Sequence, residues 1–577
     1  MPEVHLDLRA ARQHLVEVQM SLPCPGRILR FALPAWTPGS YLIRDYVRTM
    51  EGLEVRHQGR ILPVQRLAPA QWAVPLEASA PRAGDPIEIH YRILATELSV
   101  RTCHLSDEHG FLALSGVVVQ VEGERWNPHL LRLSLPPVWE PFVALPRQDE
   151  GHWLARDFDQ LIDTPIEAGP HPCHSFTVAG VPHRWVGWGG DLPLDDPQWL
   201  ADVEQVCLAC CRLMGQERPA APQYLFVLHL LEQGYGGLEH DHASVLQYGH
   251  RALAQPEGRR KLLQLVAHEY LHQWNVRRLR PAELTPIDYD RATVVSSLWF
   301  AEGVTSYVDQ LLPLAAGLGS EADLLQDLGA DLSRYRLTPG RHRQSLRESS
   351  QEAWVKLYRQ DAYSIDNQIS YYLKGSVLAL VLDLHLRRHG SWLGAVLQYL
   401  WRRHGRLDRG YQDDDLLAAF VDHAEDLSTL LPFWLNSTDD PDIETYLADV
   451  GLHMVPELAG EWFTGLQVES AAAGTLLLKQ VLRDGPAEAA GLQVGDELLA
   501  YERQRLKRED DLNQLLRFSA ASPAAPVAEV LYVRQGRVRQ AHLVTEPPRV
   551  KRWSLEEDPQ ASEEQRQRRR RWLSLQP

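Results

Sequence analysis

The chain has 577 residues, several times the roughly 150 of an ordinary domain, so about four folded units are expected. Hydrophobic residues make up 44% and charged residues 23%, which excludes disordered, collagen-like and disulfide-dense chains. Lys and Arg total 59 against 76 Asp and Glu, and a net charge of −17 repels phosphate backbones, so nucleic acid is not the expected partner.

In chain order, the opening MPEVHLDLRAARQHLVEV carries Glu3 and Asp7 and shows no basic start followed by an apolar core, so no signal peptide is visible. The best apolar run, GSVLALVLDLHL from Gly375, is short and broken by Asp383, so neither a transmembrane segment nor a membrane partner is expected. Six cysteines are too sparse for a disulfide framework, and a cytoplasmic chain with free thiols is the expectation. Residues 1–170 alternate apolar and polar positions, as in HLVEVQMSL, DPIEIHYRIL and LRLSLP, and predict an N-terminal β-sandwich-like domain. Residues 171–457 predict a second, mainly helical domain. Within it DPQWLADVEQVCLACCRLMG reads as a helix, with Asp195 or Asp196 near its start and Gly215 after its end. Residues 223–231 are apolar enough for a central strand. Helices are expected over 257–280 and 292–315 and in several segments between 318 and 448, with a polar break at 436–442. Strands return in 458–546 as a small module, and the tail 547–577, with Arg568–Arg571, reads as solvated or disordered. No repeat period occurs.

One segment concentrates the chemistry: LLQLVAHEYLHQWNVRRLRP. His268 and His272, four apart, share one helix face and can bind one Zn²⁺. Glu269, beside the first, is placed to act as general base on a bound water. A catalytic zinc needs a third protein ligand. Glu302 in SSLWFAEGVTSYVDQLL is a lone carboxylate on an apolar helix, which must be paired or ligated. Glu283, Asp288 and Asp290, in a Pro-containing loop, are its rivals. Cys207, Cys210 and Cys211 read as buried helical thiols, and the segment His171-Pro-Cys173-His174 as a boundary loop without chemistry.

These residues carry a family resemblance. HEYLHQWNVRRLRP followed by LWFAEGVTSYVDQLL resembles the glycyl aminopeptidase family of gluzincin metallopeptidases. PAWTPGSYLIRDY, at 34–46, is similar to the signature of that family's leading β domain, and DGPAEAAGLQVGDELLAY resembles a PDZ domain. The resemblance covers nearly the whole chain except the tail. It implies a multidomain α+β fold: an N-terminal β domain, a thermolysin-like, mainly helical catalytic domain and a C-terminal PDZ-like β module. It also implies an aminopeptidase with one Zn²⁺ per chain, releasing N-terminal residues, often Gly or Ala, from peptides with a free N-terminus. On motif match His268, His272 and Glu302 are the zinc ligands and Glu269 the base, although the gap from His272 to Glu302 is longer than in thermolysin. QGYGGLEHDHAS resembles the Gly-x-x-Glu-Asn segment of related zinc aminopeptidases, with His240 in place of Asn. Gly236 and Gly237 would let an edge strand approach the substrate backbone, and Glu239 would pair with the free α-amino group. His240 and His242 are open to a second metal or to a structural or substrate-lining role. Tyr372 in SYYLKGSVLALVL matches the tyrosine that stabilises the oxyanion, with Tyr371 its rival. In the PDZ-like module, residues 464–468 correspond to the loop that captures a peptide's C-terminal carboxylate; the module could instead pack on the catalytic domain and limit access. Two other readings stand beside this one. One is a thermolysin-type endopeptidase, in which Glu239 has no ammonium to bind; the other is a non-catalytic peptide-binding scaffold.

Overall fold

Alternating burial shapes the N-terminal region. In Leu15–Pro23 the side chains of Val16, Val18, Met20 and Leu22 point to the core and those between them point away. This strand lies between Glu3–Asp7 and Pro86–Leu94, antiparallel to both, inside a seven-stranded sheet. Two four-stranded sheets complete the β domain. The computed structural model describes residues 1–76, 84–148, 151–190, 196–471, 474–517 and 526–576; Asp195 lies outside the described residues. They divide into two units. The first comprises Met1–Ser297, Val308–Ser320 and Trp392–His423, and the second Leu298–Tyr307, Glu321–Ser391 and Ala424–Pro577.

The first unit continues into a five-stranded sheet in the order Cys173–Val178, Val181–Trp188, Tyr224–Leu231, Ala243–Gly249, Tyr235–Glu239. Tyr224–Leu231 is central and parallel to both neighbours, so its side chains are covered on both faces. Tyr235–Glu239 is the edge strand. In helix Pro197–Leu213 the Asp196 carboxylate caps the start, accepting from Gln198 N at 2.9 Å. Its three cysteines are free and buried, and burial pushes the Cys211 thiol up to about 12, which keeps it unreactive. Helix Gly258–Leu271 packs against this one. It stops before the expected residue 280, and Arg277 turns aside to pair with Asp163 and Asp241 at 2.8 and 2.9 Å. The His171–His174 segment is not simply a loop: Cys173 and His174 open a strand, and His171 joins a buried cluster. There Glu167 accepts from His109 and His229 at 2.9 and 2.8 Å, with His171 Nε2 at 3.1 Å.

In the second unit, helical structure begins at Leu298 rather than 292, with one wide π-turn, Trp299–Gly303. Here the backbone meets helix Tyr371–Arg388 at a pair of glycines. A Cβ on Gly303 would lie 2.5 Å from Gly375 Cα, so the two chains touch because neither carries a side chain there. After the helices, Leu452–Leu458 pairs antiparallel with Val550–Glu557. The small module lies between these strands in the chain. Its sheet orders Leu466–Ser470, Leu476–Val481, Glu497–Tyr501, Val527–Arg534 and Arg537–Val544 around its own core, which includes Leu478, Leu498 and Leu543.

The tail contradicts the expectation of a solvated or disordered segment. Val550–Glu557 is a strand and Glu563–Leu573 a helix. Trp572 is fully buried and donates from Nε1 to Tyr307 Oη at 2.6 Å. Arg569 is buried and pairs with Glu321 at 2.7 Å and with Glu557, whereas Arg568, Arg570 and Arg571 face solvent. No described helix is long and apolar enough to cross a membrane.

Candidate functional site

In the first unit, candidate site residues stand on helix Gly258–Leu271 and its C-cap. The rings of His268 and His272 stand 4.6 Å apart and nearly perpendicular. Each Nδ1 is engaged from behind. His268 Nδ1 donates to Asp309 Oδ2 at 2.7 Å, and Asp309 is itself held by Gln264 Nε2 at 2.8 Å. His272 Nδ1 donates to Asn275 O at 2.5 Å. These bonds fix the tautomers and leave both Nε2 atoms as donors for a metal, an arrangement that fits Zn²⁺. Burial raises the Asp309 carboxyl, and the His268 hydrogen bond pulls it back down.

Glu269 is buried beneath the edge strand. A Cβ at Gly237 would come within 2.1 Å of Glu269 Oε1, so only glycine admits that carboxylate. Gly236, at φ +151°, meets open space and demands glycine for its backbone. Glu239 is also buried, and ligand atoms of Glu239, Glu269 and His272 lie within 4.8 Å of one another. Glu239 Oε1 accepts no hydrogen bond from any described residue. Gly39, at φ +80°, closes over it: a Cβ there would stand 2.5 Å from that oxygen. Gly39 belongs to the N-terminal motif at 34–46, anchored nearby by Trp36 Nε1 donating to Asp288 O at 2.8 Å. His240 bonds Asp163 at 3.2 Å and so serves the Arg277 ion-pair network.

In the second unit, Glu302 is buried in the π-turn. Tyr372 opens helix Tyr371–Arg388, with its N–H capped by Ser370 Oγ at 3.2 Å. Burial, and then the charge of Glu302, holds its phenol well above the usual range, so Tyr372 stays a proton donor. Its hydroxyl is 3.3 Å from that of Tyr358, while Tyr371 is fully buried behind it. Of the rivals to Glu302, Glu283 and Asp290 are exposed, and Asp288 pairs with Arg291 at 2.9 Å. Sequence reading passed over Asp309, Asn275, Gly39 and Tyr358. Asp309 carried a signal as the one charged residue in VTSYVDQLLPLA, and Gly39 and Asn275 lie inside quoted motifs that did not single them out.

The chain matches the family model of the peptidase M61 N-terminal domain over residues 3–170, that of the M61 glycyl aminopeptidase over 261–378, and that of a PDZ domain over 478–525. Among solved structures it is similar to an aminopeptidase N family protein from Idiomarina loihiensis, 27% identical, with a TM-score of 0.91, covering 99% of this chain and 100% of that one. A further similar structure is an M1 zinc metallopeptidase from Deinococcus radiodurans, 14% identical, with a TM-score of 0.48, covering 77% of this chain and 94% of that one. No curated protein matches the chain.

Proposed function

Starting from a chain that belongs to the M61 glycyl aminopeptidase family and is a zinc aminopeptidase with a PDZ domain, we propose how its residues divide the work. His268, His272 and Glu302 hold one Zn²⁺ per chain. The held Nδ1 atoms support this assignment for the histidines. For Glu302, support comes from its burial and its place seven residues ahead of Asp309 in an unbroken helical run, Trp299–Gly303 followed by Val304–Ala315. Zinc, when bound, polarises the scissile carbonyl and acidifies a water. Glu269 takes that water's proton and passes it to the leaving amine. Tyr372 donates a hydrogen bond to the developing oxyanion. Glu239 receives the substrate's α-ammonium, with Gly236 and Gly237 admitting the peptide backbone.

The observation that carries the exopeptidase reading is the closeness of Glu239 to Glu269. With their ligand atoms within 4.8 Å, an ammonium on Glu239 leaves room for a single residue before the bond that Glu269 serves. An endopeptidase needs an open channel on that side, where Gly39 instead closes over Glu239. The proposal includes a preference for small N-terminal residues such as Gly and Ala, which a panel of aminoacyl reporters tests. It also includes capture of a C-terminal peptide by the module. Leu466–Ser470 lies at the edge of its sheet, and Gly465, at φ +73°, shapes the turn before it. The decisive experiment compares free and N-acetylated dipeptides. Glu239→Gln should raise KM for the free amine about tenfold or more and leave the blocked substrate unchanged. Equal cleavage of both substrates by the natural enzyme would overturn the assignment of Glu239.

A further inference from the structure

Within the second unit a cavity of about 590 Å³ lies between the loop that leads into helix Tyr371–Arg388 and the first two strands of the PDZ module. Tyr372 and Asp361 are on its helical wall, with Arg334 beside them. Gln467, Lys479 and Gln480 come from the module. Gln467 and Gln480 are paired across the two strands, so they share one face of that sheet.

Among the polar groups on these walls two are cations and one is a carboxylate. Lys479 and Arg334 bring two largely exposed cations: Lys479 stands 3.7 Å from Glu469, and Arg334 makes a hydrogen-bonded ion pair with Asp331 at 3.0 Å. Gln480 is the most telling residue. The residue is 7% exposed, and Nε2 is buried without a hydrogen-bond partner among the described residues. A buried amide that donates to nothing is unfavourable, and a visiting acceptor would recover that loss. The one carboxylate on the wall, Asp361, is turned to its own loop, accepting from Tyr363 N at 2.9 Å and Ser364 Oγ at 3.2 Å. What such a cavity accepts is an anionic, acceptor-rich group at a fixed remove from Tyr372.

We propose that this cavity is the binding site for the downstream end of the substrate. Lys479 and Gln480 of the PDZ module, with Arg334, grip the free C-terminal carboxylate of a short peptide. The inference rests on the assignment of Tyr372 to the reacting carbonyl. It gives the module a part in substrate selection distinct from capture of a second peptide on its edge strand. A space of this volume is about 10 Å across, and extended chain rises about 3.3 Å per residue, so substrates of about three to four residues fit.

The test uses the full-length, zinc-loaded enzyme and a series of alanyl peptides of two to six residues, each as free acid and as C-terminal amide, with kcat and KM measured separately. The expected result is a preference of about tenfold in kcat/KM for the free acid at three to four residues, expressed in KM. In Lys479→Met the ratio of acid to amide should fall to about one, and Lys479→Arg should restore it. Because Gln480 is buried and its replacement could disturb folding, Lys479 carries the test and circular dichroism confirms that both variants are folded. Equal use of acid and amide by the natural enzyme, or a preference that survives in Lys479→Met, overturns the inference. An alanyl reporter without a carboxylate separates the two levels. Turnover of the reporter with indifference to the carboxylate overturns this inference alone; no turnover of either overturns the underlying site assignment with it.

Discussion

An imidazole can be aimed at an ion only if its far nitrogen is held, and here a carboxylate and a carbonyl do the holding. Asp309→Asn keeps the shape but weakens the pull on His268 Nδ1. Zinc affinity should fall about 10–100-fold, measured by competition with a chelator at fixed pH; an unchanged affinity would reduce Asp309 to packing. Glu269→Gln should lower kcat by about 10²–10⁴ while metal content by elemental analysis stays at the level of the natural enzyme. Tyr372→Phe should lower kcat by about 10²–10³ with KM little changed. His268, Glu269 and His272 were legible because they sit together in the chain. Asp309 lies 41 residues from the histidine it supports, and Gly39 two hundred positions from the carboxylate it covers. The folded chain brings such pairs together, and a motif does not record it. For Asp309 the argument that singled out Glu302, a lone acid among apolar neighbours, applied equally.

At the level of elements, the strand Tyr224–Leu231 was readable because two parallel neighbours force an apolar side chain at almost every position. The helix around the histidines was read too long because Trp274 and Leu279 are buried in irregular chain beyond its end, and burial alone mimics helical spacing. The π-turn at Trp299–Gly303 left no trace, since one wide turn does not disturb the apolar period. That turn matters because Glu302 sits in it, next to the glycine that touches Gly375. Gly303→Ala should cost about 1–3 kcal/mol through backbone displacement, seen as a lowered midpoint in thermal unfolding. An unchanged midpoint would mean that the two segments separate freely.

On the scale of the whole chain, both N-terminal and C-terminal segments are structural parts. Composition misread the tail: its arginines dominate the count, but Arg569 and Trp572, about one turn apart, and Leu573 next to them are buried. Trp572→Ala removes a buried indole and its bond to Tyr307 and should destabilise the second unit by about 3–5 kcal/mol, measured by denaturant unfolding. A loss below about 1 kcal/mol would show that the segment is dispensable. The hairpin made by Leu452–Leu458 and Val550–Glu557 also shapes what lies between its arms. Where most hairpins close with a turn, this one closes with a folded module that leaves and rejoins at the facing residues Leu458 and Val550. A domain clasped at both ends cannot swing like a pendant on one thread. Cutting it out would leave two ends about 5 Å apart, which a handful of residues could bridge, so the module is exchangeable without breaking the rest of the chain.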